Sequence, residues 1–472
     1  MLFLLLLLPM LRDTRGNTCD GVRIFIHDLP RFDPKYNHTN GWPHIPCSVL
    51  SRGFQADTSS CDGYTNNYLG ERQNTTTYER SMIWNTWMNS FGPIWYERIA
   101  QECRARTSET ADFFLVPYPA AEFFMGHRWG NRQVMTMPRI IEYYQKVREY
   151  LLSTPEWRRC GGCDHILIIG RNSPDFYPPR DTSDFNFFHL GDPFWFNVTQ
   201  VTSEVPLKYH PRIGNTHTYG VPYTSFLHVD TPEEAIAWAA YAEAHTRKYV
   251  TTLIAGRRPW RTRLFAACEA SPDTCHLVEC KRGCHDCCTY QQVAPTYLSS
   301  HFCLMPLGDQ PTRRAYFDAL QAACIPVLQA SEPYERNYEW FTPTRHLKQI
   351  AITPDAFGHN CSLATNITCT LQRLNEMPGG AITQMRRRII NIIPSLGYAR
   401  AGGHDAIQTF FHYLKKVRAS DKNPPSPYRL NQTTATTRPE AKKGNKLIYN
   451  KGRNILKERT YTKPLEAPSL RG

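Results

Sequence analysis

Residues 299–328 read SSHFCLMPLGDQPTRRAYFDALQAACIPVL, and this stretch decides the fold class. Apolar runs at 302–305 and 325–328 are typical of buried strands. Between them, five side chains recur at helical spacing on one apolar face: Tyr316, Phe317, Leu320, Ala323 and Cys324. A strand, a helix and a strand in this order predict a crossover unit whose two strands are parallel.

The same alternation extends along most of the chain. Further strands are predicted at 22–30, 111–120, 164–172 and 249–256. Helical patterns fall at 78–103, 140–152, 232–249, 262–270, 382–393 and 404–417. The predicted fold class is therefore α/β with parallel sheets.

The length of 472 residues is too great for one hydrophobic core and predicts two domains. We place their boundary near residue 205, which gives domains at 17–205 and 206–420, the second with closing helices. Residues 421–472 are basic and Pro-rich, and this composition predicts a disordered tail.

The formal net charge of +13 is concentrated in that tail, where residues 438–472 hold ten Lys or Arg against three Asp or Glu. Because the segment lacks apolar periodicity, its charge indicates a solvated tail. Contact with an anionic membrane or polysaccharide is an alternative, and no nucleic-acid partner is expected.

The chain starts with the apolar run MLFLLLLLPM, followed by Arg12 and Arg15. The run is too short for a membrane span and predicts either a signal peptide over 1–16 or a truncated signal anchor. Sixteen cysteines indicate an oxidising compartment. Six N-x-[ST] sequons agree with the secretory pathway: Asn37, Asn74, Asn197, Asn360, Asn366 and Asn431.

The cysteines also raise the question of metal binding. Six of them crowd residues 268–288 together with two histidines, a pattern that suits either zinc or disulfides. The secretory context favours disulfides. We expect Cys160 and Cys163 to pair with other cysteines and not with each other.

The loop at 306–311 follows a predicted strand, and open α/β sheets bind ligands at the carboxyl ends of their strands. Thr312 is predicted to cap the next helix, whose free N–H groups would face an anion. Arg313 and Arg314 add cationic donors, and Asp318 is placed to hold an arginine or to accept from a ribose hydroxyl. The alternative is a capped helix with two surface arginines.

A second basic turn, AGRRPWRTR at 255–263, includes Arg258 and Arg263. Two arginine-rich turns in one domain predict an anionic ligand, most simply a diphosphate, although a basic surface patch is the alternative. The chain has no D-x-D, no G-x-x-x-x-G-K-[ST], and no G-x-G-x-x-G after the first strand. We therefore expect diphosphate binding without a metal ion and without a dinucleotide cofactor.

Residues 299–328 resemble the exostosin-type glycosyltransferases (glycosyltransferase family 47), in particular the plant xyloglucan galactosyltransferase branch, in which GDSxTRRxxFDxxxAGCIPV recurs. The chain departs from this pattern at Gln310 and Pro311, and it has Ala323 where the pattern has Gly. Other segments resemble the family in the same order: VRIFIHDLP, ADFFLVPYPA, CDHILIIGRNSPDFY and GVPYTSFLHVD. The resemblance covers roughly residues 20–400.

The resemblance implies a GT-B fold, in which an N-terminal acceptor domain and a C-terminal nucleotide-sugar domain, both Rossmann-like, face a cleft. It implies inverting transfer of a sugar, galactose by first choice, from a UDP-sugar to a polysaccharide or glycoprotein glycan in the Golgi. A membrane-anchored N-terminus, which would attach the protein to the Golgi membrane, is one of the two alternatives for the start of the chain. The alternatives are UDP-xylose, UDP-arabinose or UDP-glucuronate as donor, or a catalytically silent carbohydrate-binding relative.

Eight residues are expected to bind the donor: Arg258, Arg263, Gly308, Asp309, Thr312, Arg313, Arg314 and Asp318. Inversion also needs a base in the first domain that takes the proton of the acceptor hydroxyl. The candidates are Asp175, Glu122 and His165, with Asp164 beside the last. Positions after strand ends favour Asp175 and Glu122.

Overall fold

The computed structural model describes residues 19–33, 38–39, 42–43, 84, 86, 90–128, 135–170, 193–195, 197–205, 217–229, 231–280, 290–308, 311–342, 344–398 and 405–420. Its two main sheets are parallel, which confirms the α/β prediction. In this part of the chain, no helix combines the length and the apolar character that a membrane span requires.

The first sheet has five strands: β1 (Ile24–Ile26), β4 (Phe113–Val116), β5 (His165–Ile168), β6 (Thr199–Thr202) and β7 (Thr218–Gly220). A separate antiparallel pair is formed by β2 (His38–Thr39) and β3 (Trp42–Pro43). The five strands are all parallel, and their spatial order follows the chain. Since β7 belongs to this sheet, the first sheet extends beyond residue 205, where the sequence analysis divides the chain.

The second sheet has four strands: β8 (Tyr249–Ala255), β9 (Cys275–Glu279), β10 (Ser300–Met305) and β11 (Ile325–Leu328). They are all parallel in the order β11-β10-β8-β9. The chain passes outward from β8 to β9 and then returns to the other side of β8 as β10. The direction of strand addition therefore reverses between β8 and β10, and such a reversal opens a crevice at the carboxyl edge of a sheet.

The described helices are α1 (Phe91–Glu102), α2 (Ala120–Arg128), α3 (Met137–Ser153), α4 (Pro155–Cys160), α5 (Pro232–Ala244), α6 (Thr262–Glu269), α7 (Tyr290–Leu298), α8 (Arg314–Gln321), α9 (Glu332–Tyr338), α10 (Thr344–Ile350), α11 (Ile367–Asn375), α12 (Gly379–Ile392) and α13 (Ala406–Ser420). Short 3₁₀ turns occur at Ser108–Thr110, Pro193–Trp195, Pro259–Arg261 and Ile393–Leu396. The predicted crossover unit is β10, α8 and β11, which confirms the interpretation of residues 299–328.

The central strands β4 and β5 are buried along their whole length, which fits their mostly apolar sequences. Phe113 and Leu115 lie in the core beneath α1 and α13, whereas Val116 lies in the core formed with α2 and α3. The sheet is therefore the middle of three layers.

Helix α13 comes from the end of the described chain but packs on the first sheet. Its Phe410 and Phe411 rings lie 5.3 and 6.0 Å from the Trp95 ring of α1. A buried ion pair at 3.1 Å joins Arg98 of α1 to Asp405, immediately before α13. The last helix thus completes the core that the first strands begin.

The predicted helix at 78–103 is shorter than expected. Trp84 is extended, and its backbone N–H donates to the carbonyl of Phe226 at 2.9 Å. The helix α1 begins only at Phe91. The backbone of Trp84 therefore bonds to a residue far away in the chain and lies outside the helix, so periodicity alone gave the wrong start.

Disulfides are present, as the sequence predicts, and include Cys268–Cys275 inside the predicted cluster. The expectation for Cys160 and Cys163 was wrong, because they pair with each other. Gly161 and Gly162 both have positive φ, of 66° and 87°, and this tight turn brings the two cysteine Cα atoms within 5.5 Å.

Helix α8 ends in a left-handed turn at Ala323, where φ is 50°. The N–H of Ala323 donates to Leu320, and the N–H of Cys324 donates to Ala319, both at 2.9 Å. This double hydrogen bond is a Schellman motif, in which glycine usually occupies the left-handed position. The family pattern has Gly here, so the substitution places a Cβ in a strained conformation.

Candidate functional site

At the strand reversal, one arginine side chain bridges the loops that follow β8 and β10. Arg261 is 7% exposed and donates from Nη1 to the carbonyl of Gly256 at 2.9 Å. Its Nε and Nη2 donate to the carbonyl of Leu307 at 3.0 and 2.8 Å. Because Gly256 follows β8 and Leu307 follows β10, Arg261 fixes the two loops that border the crevice. Arg261 was not among the predicted site residues, because its only signal in the sequence is membership of the second basic turn.

The other arginines of that turn face outward. Arg258 and Arg263 are exposed, the first at the start of the 3₁₀ turn and the second in the first turn of α6. Arg257 is instead ion-paired with Glu269 and with Glu279, the latter at 3.0 Å. The hydrogen bonds that Arg257 donates to these carboxylates raise its pKa. Arg258 and Arg263 therefore remain the two candidates for an anion at this loop.

Trp260 stands on the same loop with 43% of its surface exposed. In the described part of the chain, it and Leu152 are the two large apolar side chains that are exposed. The loop is held in place, since Thr262 Oγ1 donates to the Pro259 carbonyl at 3.0 Å and Arg261 N–H donates to Arg258 at 2.9 Å. An exposed indole on this loop offers a flat surface for stacking.

The prediction that Thr312 caps α8 was wrong. Arg313 occupies the N-cap position and forms no side-chain cap hydrogen bond. Thr312 is 2% exposed, and its hydroxyl is hydrogen-bonded to Tyr338 at 3.3 Å. Its backbone N–H donates to the Glu204 carboxylate at 3.1 Å. The Thr312 hydroxyl therefore contacts Tyr338, which is distant in the chain, and does not cap α8.

Glu204 joins the carboxyl edges of the two sheets. It follows β6 of the first sheet, is 0% exposed, and accepts through Oε2 from the Tyr223 hydroxyl at 2.9 Å. Its neighbour Ser203 accepts from the Tyr338 hydroxyl at 2.9 Å. Since Thr312 follows β10 and Tyr338 ends α9, both edges meet at this carboxylate. The sequence analysis missed Glu204 because it did not identify β6.

Arg313 and Arg314 are adjacent but differently placed. Arg313 is half-buried and donates to the carbonyl of Pro306 at 3.0 Å, so it lies along the loop after β10. Arg314 lies behind this loop, with its guanidinium carbon 3.6 Å from the centre of the Phe226 ring. Its Nε is 3.5 Å from Asp318 Oδ2. Asp318 therefore holds an arginine, one of the two roles predicted for it.

Burial controls the charges of this pair. It raises the pKa of Asp318 to about 6, even though Arg314 is adjacent and opposes the shift. It also lowers the pKa of Arg314, whose Nε and Nη2 have no hydrogen-bond partner within the described residues. The pair is a supporting element behind the loop.

Glu122 lies in the first turn of α2, directly after β4, at the carboxyl edge of the first sheet. It is 4% exposed, and neither carboxyl oxygen has a hydrogen-bond partner among the residues described. Burial raises the pKa of Glu122 to about 8. A Cβ on Gly170, after β5, would lie 3.1 Å from Ala121 and 3.3 Å from Gly92, so three elements converge beside Glu122.

His165 is the first residue of β5, which places it at the amino edge of the sheet, away from Glu122 and Glu204. It is fully buried, with Nδ1 2.8 Å from Asp164 and Nε2 3.0 Å from Nε2 of His27. Burial lowers the pKa of both histidines, that of His27 to about 3. These contacts fit a neutral, structural pair.

Two predicted residues, Asp175 and Asp309, lie outside the described residues. Gly308 is half-buried at the end of the loop after β10. The described residues include one group with metal-ligand spacing: Cys160, Cys163 and Asp164. Both of its sulfur atoms belong to the disulfide, so they are not thiolate ligands.

The carboxyl edges of the two sheets carry two kinds of chemistry. The second sheet presents arginines and a helix N-terminus, which suit a diphosphate leaving group. The first sheet presents a buried carboxyl group of raised pKa, which suits proton transfer. These are the two requirements of transfer from an activated donor to a hydroxyl acceptor.

Comparison with known proteins identifies the family of this chain. The chain matches the Exostosin GT47 domain over residues 18–347. Two Arabidopsis thaliana proteins named probable xyloglucan galactosyltransferase are 28% and 26% identical to it, over 81% and 84% of this chain and 79% and 82% of theirs. Xyloglucan galactosyltransferase XLT2 of the same plant is 25% identical over 83% of this chain and 72% of its own. Because the family match spans more than half of the sequence, the chain belongs to the exostosin GT47 family and is a glycosyltransferase with the GT-B fold.

Proposed function

We propose that the protein transfers galactose from UDP-galactose, with inversion, to a cell-wall polysaccharide of the xyloglucan type in the Golgi. The observation that supports this most directly is the strand reversal of the second sheet, where the loops after β8 and β10 carry arginines. The galactose and xyloglucan parts rest on the names of the relatives. The Golgi part rests on the signal-like start, the sequons and the disulfides.

The donor diphosphate is proposed to bind between the loops after β8 and β10. Arg258, Arg263 and Arg313 supply cationic donors to it, and the N-terminus of α8 supplies backbone N–H groups. The loop residues Gly308, Asp309 and Thr312 border this position. Arg314 and Asp318 act from behind by holding the start of α8 against Phe226.

Trp260 is proposed to stack on the uracil ring of the donor. Its indole is exposed and lies between Arg258 and Arg263 in the sequence. A ligand that is both planar and anionic matches an aromatic ring flanked by guanidinium groups. A nucleotide has both properties.

The acceptor hydroxyl needs a base, and we propose Glu122 for this role. A buried carboxyl without a protein partner requires an explanation, and a substrate hydroxyl would supply the missing hydrogen bond. Asp175 remains the second candidate. His165 is not retained, because it lies at the opposite edge of the sheet in contact with Asp164 and His27.

Calorimetric titration of UDP into the purified protein, with EDTA present throughout, tests the proposal. Binding without a divalent ion is expected, since arginines and helix N–H groups neutralise the diphosphate. A panel of UDP-sugars then separates galactose from xylose, arabinose and glucuronate as the transferred sugar. Folded protein that binds neither UDP nor any UDP-sugar would favour a silent, carbohydrate-binding relative.

A further inference from the structure

Three of the six sequons lie in the described part of the chain, and their surroundings differ. They begin at Asn197, Asn360 and Asn366. An N-linked glycan is bulky, polar and attached to the side-chain nitrogen, so it needs an asparagine whose Nδ2 faces solvent in the folded protein. Each site is therefore distinguished by what its Nδ2 contacts.

Asn197 is unsuited to a glycan. It is half-buried, and its Nδ2 donates to the carbonyl of Gly161 at 3.3 Å. The threonine of its sequon, Thr199, is the first residue of β6 and is 4% exposed. A glycan on this nitrogen would place polar bulk against the Gly161 turn and beside a buried strand, so a chain modified at Asn197 does not reach this fold.

Asn366 has the opposite surroundings. Both Asn366 and the threonine of its sequon, Thr368, are exposed. Its Oδ1 accepts from the N–H of Cys369 at 3.0 Å and thereby caps α11. The glycan bonds to Nδ2 and leaves Oδ1 as an acceptor, so the cap and the glycan use different atoms.

Asn360 is intermediate between these two. Its own side chain is exposed, but the serine of its sequon, Ser362, is 5% exposed. The Ser362 hydroxyl is hydrogen-bonded to the Thr365 hydroxyl at 3.0 Å. Of the three described sequons, the one at Asn366 alone has both of its defining side chains in solvent.

We propose that Asn366 carries an N-linked glycan in the folded protein and that Asn197 does not. The proposal rests on the secretory location included in the proposed function. The carbohydrate would project from the N-terminus of α11, next to Thr365, whose carbonyl accepts from Arg263 at 3.4 Å. It therefore lies beside the arginine-bearing start of α6.

Site occupancy in the full chain, secreted from eukaryotic cells, tests this. Enzymatic deglycosylation converts each modified asparagine to aspartate, and peptide mass spectrometry then locates the conversion. Conversion is expected at Asn366 and not at Asn197. An unmodified Asn366 in the secreted protein, or a glycan on Asn197, would overturn the proposal.

Two variants separate the glycan from the helix cap. Thr368→Ala removes the sequon and keeps the cap, so it should lose the mass of one glycan. Asn366→Ala removes both, so its melting temperature should fall below that of Thr368→Ala. A Thr368→Ala protein with the same mass as the parent chain would contradict the inference.

Titration of UDP into the same secreted protein keeps the two proposals distinguishable. A glycan at Asn366 without UDP binding would count against the proposed function alone. UDP binding by a protein with a bare Asn366 would count against the glycan alone.

Discussion

At the carboxyl edge of the second sheet, Arg258, Arg263 and Arg313 are exposed or half-buried on two loops, whereas at that of the first sheet the Glu122 carboxyl is buried without a hydrogen-bond partner among the described residues. The order of the strands also differs between the two sheets. The second sheet reverses between β8 and β10, and the first sheet follows the chain without reversal among its described strands. A reversal opens a crevice that can admit a diphosphate. In the first sheet, the candidate base lies instead in the first turn of the helix that follows β4.

The same parallel-sheet architecture thus carries two different electrostatic environments, one of exposed cations and one of a buried carboxyl group. Exposed guanidinium groups keep their charge and attract an anion. Burial has the opposite effect on Glu122, since it raises the pKa to about 8 and keeps the carboxyl neutral at lower pH. Variants that exchange these properties test whether the division is real.

The largest effect is expected for Glu122→Gln. Loss of a general base should lower turnover by about 10²–10⁴-fold. In the parent chain, turnover should rise with pH towards about 8, as the carboxyl ionises. Steady-state kinetics across this range provides the measurement, and Glu142→Gln, which alters an exposed glutamate on α3, is the matched control. Parent-like turnover in Glu122→Gln would move the base to another residue.

The same variant has a predicted stability signature. Between pH 4.5 and about 8, the unfolded chain has Glu122 ionised while the folded protein keeps it protonated. The folded state therefore binds more protons, and its stability falls as pH rises through this window. Glu122→Gln should lack this decline. In denaturant unfolding, its stability relative to the parent chain should therefore be higher at pH 8 than at pH 5.

The next-largest effects are expected for Arg314 and Arg313, which should differ in whether they contribute to stability or to UDP binding. Arg314→Ala leaves Asp318 buried without its partner and should cost about 3–5 kcal/mol of unfolding free energy. Arg313→Ala should leave stability nearly unchanged but weaken UDP binding by roughly 10- to 100-fold, the value of a charge-assisted hydrogen bond. Unfolding and titration of both variants give the comparison. Equal behaviour of the two would contradict the placement of Arg314 behind the loop.

Trp260→Ala should weaken UDP binding by about 1–3 kcal/mol, the usual contribution of stacking between a base and an aromatic side chain. Trp260→Phe should retain much of the affinity. Leu152→Ala alters the other exposed apolar side chain and should change nothing in this assay. An unaltered affinity in Trp260→Ala would remove the indole from the donor site.

Ala323→Gly should stabilise the protein by about 1 kcal/mol, because the left-handed turn no longer strains a Cβ. Ala322→Gly is the matched control. Ala322 has φ of −87°, so the exchange should destabilise by about 0.5–1 kcal/mol through added chain entropy. Thermal unfolding of the two variants should therefore shift in opposite directions.

The smallest effect is expected for deletion of residues 421–472. The composition of this segment predicts no contribution to a folded core. Turnover and donor affinity should stay at the parent values. A folded but inactive truncated protein would show that the basic segment takes part in catalysis.

The strands that the sequence predicted are rich in apolar residues. β4 and β11 are examples, because all four residues of each are buried and apolar. β6 was not predicted, since its residues TQVT are mostly polar. They are nevertheless buried, and Gln200, for example, donates to the carbonyl of Trp195 at 3.4 Å. Such partners are not visible in a local pattern.

The site shows the same limit. The arginine-rich turns were recognised because charge and position after a strand are local properties of the sequence. Glu204 and Arg261 were not recognised, because their roles depend on Thr312 and Leu307, which are distant in the chain. The cap predicted at Thr312 failed for a related reason, since the Tyr338 hydroxyl competes for its side chain.

The return of α13 to the first sheet has a consequence for the order in which the molecule is built. Phe410 and Phe411 bury the same face of the sheet that Ile24 and Trp95 begin. During synthesis, the ribosome releases β1 almost 400 residues before these rings exist. The first sheet and its helices therefore keep apolar surface exposed until the second sheet and α13 have been synthesised. A chaperone that shields this face would act on the oldest part of the nascent chain, and its release would coincide with the arrival of α13.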